Sequence, residues 1–411
     1  MVMRNKTVAV IGTLDTKGEE YQYLREQIEA NGVSTLLVDV GVFGARHAVP
    51  DITAEEVARA GGTSLQQLAD RKERGEAVRV MGQGAAAIVK KLHEQGKIDG
   101  VIAMGGGNGT TLGTTVMKAL PIGVPKVMVS TLASGNTRNY VGETDIVMMP
   151  SIVDIAGINR FSAEILANAA GAIAGMVKAV KAGKVENKPL VAATMFGVTT
   201  PCLTKAKEVL EAAGYEVLIF HASGTGGRSM EQLIRAGFIE GVLDITTTEL
   251  ADELAGGILS AGAERLEAAG EMGIPQVVSA GALDMVNFGP MHTVPEKYKN
   301  RKLHAYNPMT TLMRTSLKEN KKLGKIIAEK LNKSAGPVTF MMPLGGVSSL
   351  DMAGQPLHDP EANAAFLQAL KSELSERIEL VEIDANINDE QFAIAAANRL
   401  IDSIRERKEK K

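Results

Sequence analysis

The sequence contains no tryptophan, and aromatic residues make up only 4% of it. That scarcity argues against base-stacking platforms and sugar-stacking grooves, which depend on exposed rings. One cysteine, Cys202, excludes intramolecular disulfides and cysteine-rich metal sites, which suits a reducing cytoplasm. The six histidines form no pair at the helical spacing of metal ligands, so a structural zinc is not expected. Charge of neither sign dominates: 45 basic against 48 acidic residues leave a formal charge of −3. Nothing in that balance draws in nucleic acid or an anionic membrane. No segment reaches the roughly 18 apolar residues of a membrane span. Met1–Lys6 leads into the first strand without the apolar core of a signal peptide. The Gly-x-Ser-x-Gly nucleophile elbow is missing too. These absences predict a cytoplasmic protein with neither nucleic acid nor membrane as partner.

What is present is an alternation of short apolar runs and helical patterns over 411 residues, long enough for two domains. Strands are expected at Thr7–Ile11, Ser34–Val40, Val101–Met104 and Lys126–Ser130, with an amphipathic helix at Glu19–Ala30. Thr16 with Glu19 and Thr53 with Glu56 have capping-box spacing. Phe161–Val180 reads as a long, apolar, Ala- and Gly-rich helix that packs inside the first domain or against a second subunit. The charged stretch Lys181–Lys188 marks a boundary, giving domains at residues 1–183 and 184–411. Beyond it the pattern restarts, with strands at Leu190–Met195, Glu216–Phe220, Gly241–Ile245, Gln276–Ser279, Val338–Met342 and Ile378–Ile383. Lys205–Ala213 reads as a helix, and Asn388 is placed to cap a final helix running toward Arg405, with a solvated end at Arg405–Lys411. Buried apolar strands alternating with helices indicate an α/β protein, each half a mainly parallel sheet with helices on both faces.

In such sheets ligands bind beyond the carboxyl ends of the strands, so the residues there carry the functional argument. The run Met104-Gly105-Gly106-Gly107-Asn108-Gly109-Thr110-Thr111 places four glycines within five residues between a strand and a helix. Glycines let backbone amides approach an anion, and the helix N-terminus favours negative charge. After the first strand, Thr13, Asp15, Thr16 and Lys17 offer hydroxyls, a carboxylate and an ammonium. Lys17 could meet a phosphate and Asp15 a metal ion bound to it; a plain helix cap and a solvated lysine is the competing reading. Asp39 has the spacing of a ribose-binding acid or of a simple turn residue. Ser134, Gly135 and Asn136 form a second small-residue loop beside the glycines.

The second half offers Thr199 and Thr200, then His221 with Gly226, Gly227 and Arg228, then Asp244 and Asp284. A histidine, two aspartates, a glutamate (Glu249) and an arginine at strand ends could bind a carboxylate or phosphate and move protons. His221 as a core histidine and Asp244 as a cap or turn residue are the competing readings. His304, Tyr306 and Arg314 could cover this site. Cys202 follows Pro201 near a helix start, where its thiol could ionise more readily, or it is simply a small buried residue.

Seven strings carry a resemblance: GTLDTK (Gly12–Lys17), MGGGNGT (Met104–Thr110), PKVMVSTLASGNT (Pro125–Thr137), MFGVTTPC (Met195–Cys202), FHASGTGGRSME (Phe220–Glu231), GVLDITTTE (Gly241–Glu249) and SAGALDMVNFG (Ser279–Gly289). In them the chain resembles the tomato mosaic virus resistance protein family, meaning the ATP-binding N-terminal half of the plant protein and the uncharacterised microbial proteins grouped with it. The resemblance implies a pair of Rossmann-like domains, ATP with Mg²⁺ at the first, and a homodimer. Gly105–Gly109 corresponds to the family's nucleotide-contacting loop, with Asn108 in place of a glycine. The plant protein continues into a barrel-like third domain, whereas this sequence stops at Lys411. Its antiviral role is peculiar to that member and is not carried over.

The resulting expectation is an ATP-using enzyme acting on a small anionic metabolite at a cleft between the domains. Gly105–Thr110 cradles the phosphates, joined by Thr13, Thr16, Lys17, Ser134, Gly135 and Asn136. Asp15 positions Mg²⁺, and Arg228 with Thr199, Thr200, Gly226 and Gly227 holds the substrate. Two rivals stand beside it. One is a non-catalytic, nucleotide-gated regulatory protein. The other is an ATP-independent lyase or isomerase centred on His221, Asp244 and Asp284.

Overall fold

The computed structural model describes residues 5–179 and 188–409. The chain divides into two compact units, Met1–Gly183 and Lys184–Lys411. Most of the charged boundary segment, residues 181–187, lies outside the described residues, as do Val180 and the last two lysines. Among the described residues no helix is long and apolar enough to cross a membrane.

The first unit runs β1 (Thr7–Gly12), α1 (Leu14–Ala30), β2 (Ser34–Asp39), α2 (Ala54–Ala60), α3 (Leu65–Arg71) and α4 (Arg74–Glu94). It continues with β3 (Gly100–Gly105), α5 (Gly107–Lys118), β4 (Lys126–Ser130), α6 (Arg138–Val141), β5 (Val147–Pro150) and α7 (Arg160–Lys178). The sheet is wholly parallel, in the order β2-β1-β3-β4-β5. Strand side chains alternate between faces. Val8 and Val10 pack under α1 and α7, while Ala9 and Ile11 join the core under α2, α4 and α5. The apolar helix expected at Phe161–Val180 is α7, and it packs on α1 and the sheet. Thr53 and Glu56 form their capping box. Thr16 and Glu19 do not: α1 starts at Leu14, so Thr16 lies inside its first turn and its hydroxyl donates to Thr13 Oγ1 at 3.2 Å.

The strand order reverses between β1 and β3, which opens a crevice where the two strands part. Their pairing ends at Ile11–Ala103, and Met104 is the next residue of β3 facing the vacated side. There the Tyr21 hydroxyl replaces the missing strand: it donates to the Met104 carbonyl at 2.6 Å and accepts the Met104 amide at 3.1 Å. Tyr21 is fully buried, and a Cβ on Gly12 would lie 2.6 Å from its ring. The strand that ends in the glycine loop is therefore aimed by a phenol from α1.

The second unit runs β6 (Leu190–Met195), α8 (Thr200–Ala212), β7 (Glu216–His221), α9 (Thr225–Arg235), β8 (Ile239–Thr246), α10 (Thr248–Ala255), α11 (Ala268–Glu271) and β9 (Gln276–Gly281). Then come β10 (Met285–Phe288), β11 (Leu303–Asn307), β12 (Thr310–Arg314), α12 (Leu317–Asn332), β13 (Val338–Pro343), α13 (Pro360–Glu373), β14 (Glu379–Ile383) and α14 (Glu390–Glu409). Its six-stranded sheet is parallel, in the order β14-β13-β9-β8-β6-β7, and reverses between β6 and β8. A small antiparallel sheet, β10-β12-β11, was not foreseen from the sequence. Asn388 does not cap the final helix. Its amide donates to the Val198 carbonyl at 3.0 Å and its oxygen accepts the Cys202 amide at 3.4 Å, so it fastens the start of α8. Cys202 is buried, and burial pushes its thiol up to about 12, the reverse of activation at a helix start.

Replacing Tyr21 by Phe leaves a buried amide and a buried carbonyl without a partner. The expected cost is about 2 kcal/mol or more, read as a lower urea midpoint at unchanged slope. An unchanged midpoint would contradict the bracing role.

Candidate functional site

A cavity of about 620 Å³ opens at the point where β1 and β3 part. One wall carries Thr13, Asp15, Thr16 and Lys17; the floor is Gly105–Gly109. This brings together nine of the residues singled out from the sequence.

The glycines serve two purposes. A Cβ on Gly105 would lie 2.7 Å from the Gly109 Cα, and one on Gly109 would lie 2.9 Å from the Met104 carbonyl. Those two let strand and helix close on each other. A Cβ on Gly107 would meet nothing within 4 Å, so that glycine keeps the cavity floor open. The first intrahelical bond of α5 is Thr110 N–H to the Gly106 carbonyl, at 2.8 Å. The amides of Gly107, Asn108 and Gly109 precede it, and among the described residues no side chain caps this N-terminus. Uncapped amides and the helix dipole make an anion seat.

Beside it, Asp15 is half-committed. Its Oδ2 accepts the amides of Val42 at 3.0 Å and Phe43 at 3.2 Å, while Oδ1 is buried without a hydrogen-bond partner among the described residues. Lys17 interrupts α1 with φ −135° and ψ 28°, and its ammonium donates to the Ile155 carbonyl. With its carboxamide oriented to suit, Asn108 accepts from Arg74 Nε at 2.6 Å and Nη2 at 3.1 Å. No group of three or more His, Cys, Asp or Glu side chains that could hold a metal by itself occurs among the described residues. A cation here would need oxygens from a ligand to complete its shell.

Several sequence expectations fall outside this cavity. Thr110 is buried, with its hydroxyl 2.7 Å from that of Ser130, and braces α5 against β4. Ser134, Gly135 and Asn136 do not line the cavity; Asn136 accepts the Arg138 amide at 3.1 Å in a local turn. Asp39 is a buried brace that accepts the amides of Leu14 at 3.2 Å and Gly41 at 2.8 Å. Conversely, the sequence reading missed the opposite wall: Phe43, Leu68, Arg74, Val78 and Asp154. An aromatic residue between two glycines, Gly41-Val42-Phe43-Gly44, was the sequence signal for it, and the structure leaves that ring 67% exposed.

In the second unit the strand-end polar groups turn inward. Arg265 is fully buried and holds Asp244 through both terminal nitrogens, at 2.5 and 2.7 Å, while its Nε donates to Glu249 at 2.6 Å. Asp244 also accepts from Thr194 at 2.8 Å, so it has no face toward a ligand. The Glu249 carboxylate accepts the amides of Gly224 at 2.7 Å and Gly227 at 3.1 Å. The anion expected at the start of α9 is therefore the protein's own. Gly226 and Gly227 are packing positions: a Cβ would lie 1.9 Å from the His221 carbonyl or 2.2 Å from the Glu249 carboxylate. Thr199 is buried with its hydroxyl 2.8 Å from that of Thr246, and Thr200 donates to the Phe196 carbonyl at 3.1 Å. Arg228 donates to the Ser260 carbonyl at 3.1 Å and to Thr225 Oγ1 at 3.3 Å.

His221 is exposed, its ring 5.2 Å from that of Phe196, and Asp284 is buried elsewhere, accepting from Ser348 at 2.8 Å. Tyr306 on β11 reaches Gly197, its hydroxyl 3.4 Å from where a Cβ there would lie. Arg314 is buried against Asp351 and Asn363 and covers nothing.

Two family descriptions match the chain: the Uncharacterised protein family (UPF0261) N-terminal domain over residues 6–182 and its C-terminal domain over residues 188–404. The chain belongs to this family. It is 52% identical to a UPF0261 protein of Clostridium tetani, over 97% of this chain and 99% of that one. It is 42% identical to the ToMV resistance protein Tm-1(GCR237) of Solanum lycopersicum, over 97% of this chain but only 55% of that protein. The UDP-N-acetylglucosamine 2-epimerase of Rickettsia bellii aligns over 98% of this chain and 96% of its own, at 10% identity and a TM-score of 0.23, too low to carry an argument.

Burial, reinforced by the Asp351 carboxylate, holds the Asp284 acid well above the usual carboxylate range, and its Oδ1 has no hydrogen-bond partner among the described residues. A folded-state value above the unfolded one means the native protein binds the proton more tightly. This contribution to stability is full below about pH 4, the unfolded value, and is lost as pH rises toward neutrality. Asp284→Asn should flatten that decline in melting temperature; an unchanged profile would show that another group causes it.

Proposed function

We propose that the first unit binds ATP with Mg²⁺, and that the protein uses the nucleotide to act on a small anionic metabolite. The observation that carries this reading is the uncapped α5 N-terminus at the β1/β3 parting, which lines one cavity with Asp15, whose buried Oδ1 has no hydrogen-bond partner among the described residues. The amides of Gly107, Asn108 and Gly109 suit phosphate oxygens, and Arg74 and Lys17 on the same cavity supply compensating charge. Phe43, Leu68 and Val78 offer the apolar surface that a purine needs. Asp15 would hold Mg²⁺ together with phosphate oxygens, and the ion would supply charge neutralisation. Phosphoryl chemistry asks chiefly for positioning and neutralisation, which these groups can provide. The resemblance set out from the sequence supports ATP, Mg²⁺ and a homodimer, and the single cysteine supports a cytoplasmic setting.

A second reading has one observation in its favour. Asp244, Asp284 and Thr199 are sealed inside the second unit. That favours a regulatory protein in which bound ATP sets a conformational or oligomeric state without being consumed.

Calorimetry separates these readings from failure. Wild-type protein should release heat with Mg·ATP. Gly107→Leu, which places its side chain in open cavity space, should abolish that heat while unfolding at the wild-type midpoint. Asp15→Asn should remove most of the dependence on Mg²⁺. Normal affinity in Gly107→Leu, or no heat with wild type, would overturn the site. ATP turnover dependent on an added metabolite favours the enzyme, and saturable binding without turnover favours the regulator.

A further inference from the structure

A second cavity, of about 370 Å³, shares Asp15, Thr16 and Lys17 with the first. The two are neighbours separated by the first turn of α1. The floor of this slot is the first two turns of α1, and its sides are two loops that α1 itself fastens.

On one side runs the loop of residues 41–48. The Arg46 amide donates to the Leu14 carbonyl at 2.9 Å, and the Arg46 carbonyl lies 1.6 Å from where a Cβ on Gly18 would stand. Only glycine at position 18 lets that loop lie flush on the helix. On the other side, Lys17 donates to the Ile155 carbonyl, and the Gly157 amide donates to the buried Glu20 carboxylate at 2.7 Å. Both loops carry backbone that non-glycine residues rarely adopt: His47 at φ +61° and the β-branched Ile152 at φ +63°. Such conformations concentrate at ligand clamps.

Lys17 and Glu20 are engaged in holding the walls. Arg46 and His47, both exposed, line the slot together with the carboxylates of Asp15 and Glu19, and neither basic side chain has a hydrogen-bond or ion-pair partner among the described residues. The geometry points to this slot as the subsite for a small oxyanion, a carboxylate or a phosphate monoester, bound by Arg46 and His47 beside the glycine cradle. A guanidinium fork takes either group through two parallel hydrogen bonds, and the volume fits a small metabolite. The inference rests on the ATP reading for what lies next door. It departs from the sequence expectation by seating the anion in the first unit, where a cation is available to it.

The test is calorimetry of the 411-residue chain with malonate and, separately, with inorganic phosphate, repeated in Arg46→Gln and Gly107→Leu. One of the two anions should bind wild type, and which one does so names the ligand class. Arg46→Gln should weaken it roughly tenfold or more, Gly107→Leu should leave it within about twofold, and Mg·ATP affinity in Arg46→Gln should stay at the wild-type value. An anion that Gly107→Leu loses and Arg46→Gln keeps sits in the cradle, and overturns the slot. Binding of neither anion overturns it too. If wild type fails to bind ATP while anion binding still depends on Arg46, the nucleotide reading falls and the slot stands.

Discussion

The crevice of the first unit exists because β1 and β3 part, and two parting strands strand their backbone groups. The Tyr21 hydroxyl answers both groups of Met104 at once. Asp39 does the same for the amides of Leu14 and Gly41 beyond β1 and β2. Side chains stand in for the absent neighbour strand, so the backbone groups of Met104, Leu14 and Gly41 keep partners where the sheet opens. The absence of a side chain at Gly12 makes space for the phenol. The glycine floor is held at a defined height above the sheet by this bracing.

The two units share a doubly wound plan and treat their strand ends in opposite ways. In the first, the start of α5 is uncapped and faces a cavity. In the second, the start of α9 is filled by Glu249, which in turn requires the buried Arg265, with Asp244 and Glu231 around the same guanidinium. Burial raises the Glu231 acid, opposed by Arg265 and by the amides of Leu266 and Ala268. Where β6 and β8 part, hydroxyls of Thr194, Thr199 and Thr246 lace the gap. The same dipolar attraction that makes one unit receptive makes the other self-satisfied.

Strands with uniformly apolar runs between breakers were legible to the residue: Lys126–Ser130 and Leu190–Met195 have the bounds read from the sequence. The start of α1 was not, because Thr13, Asp15 and Thr16 read equally well as loop residues and as a first helical turn. The hairpin of β11 and β12 was not legible either: its partners lie close in sequence, but β11 is largely exposed and β12 largely buried, so neither strand shows the alternation of a half-buried one. The glycine floor and the α1 wall of the cavity were legible. The wall formed by Phe43, Leu68, Arg74 and Val78 was not, since nothing local says that α3 and α4 fold back over the strand ends.

Composition and periodicity were enough to dictate two parallel α/β units and to mark Gly105–Gly109 as a close approach of strand and helix, because those follow from burial and steric volume within a few residues. Which polar groups are available to a ligand was decided only when distant segments met. Asp15 and Asp244 both follow a strand's apolar core, yet among the described residues one keeps a carboxylate oxygen without a partner and the other is clasped by Arg265. Availability depends on what arrives opposite, and in this chain that is a guanidinium contributed 21 residues away or a loop that stops short.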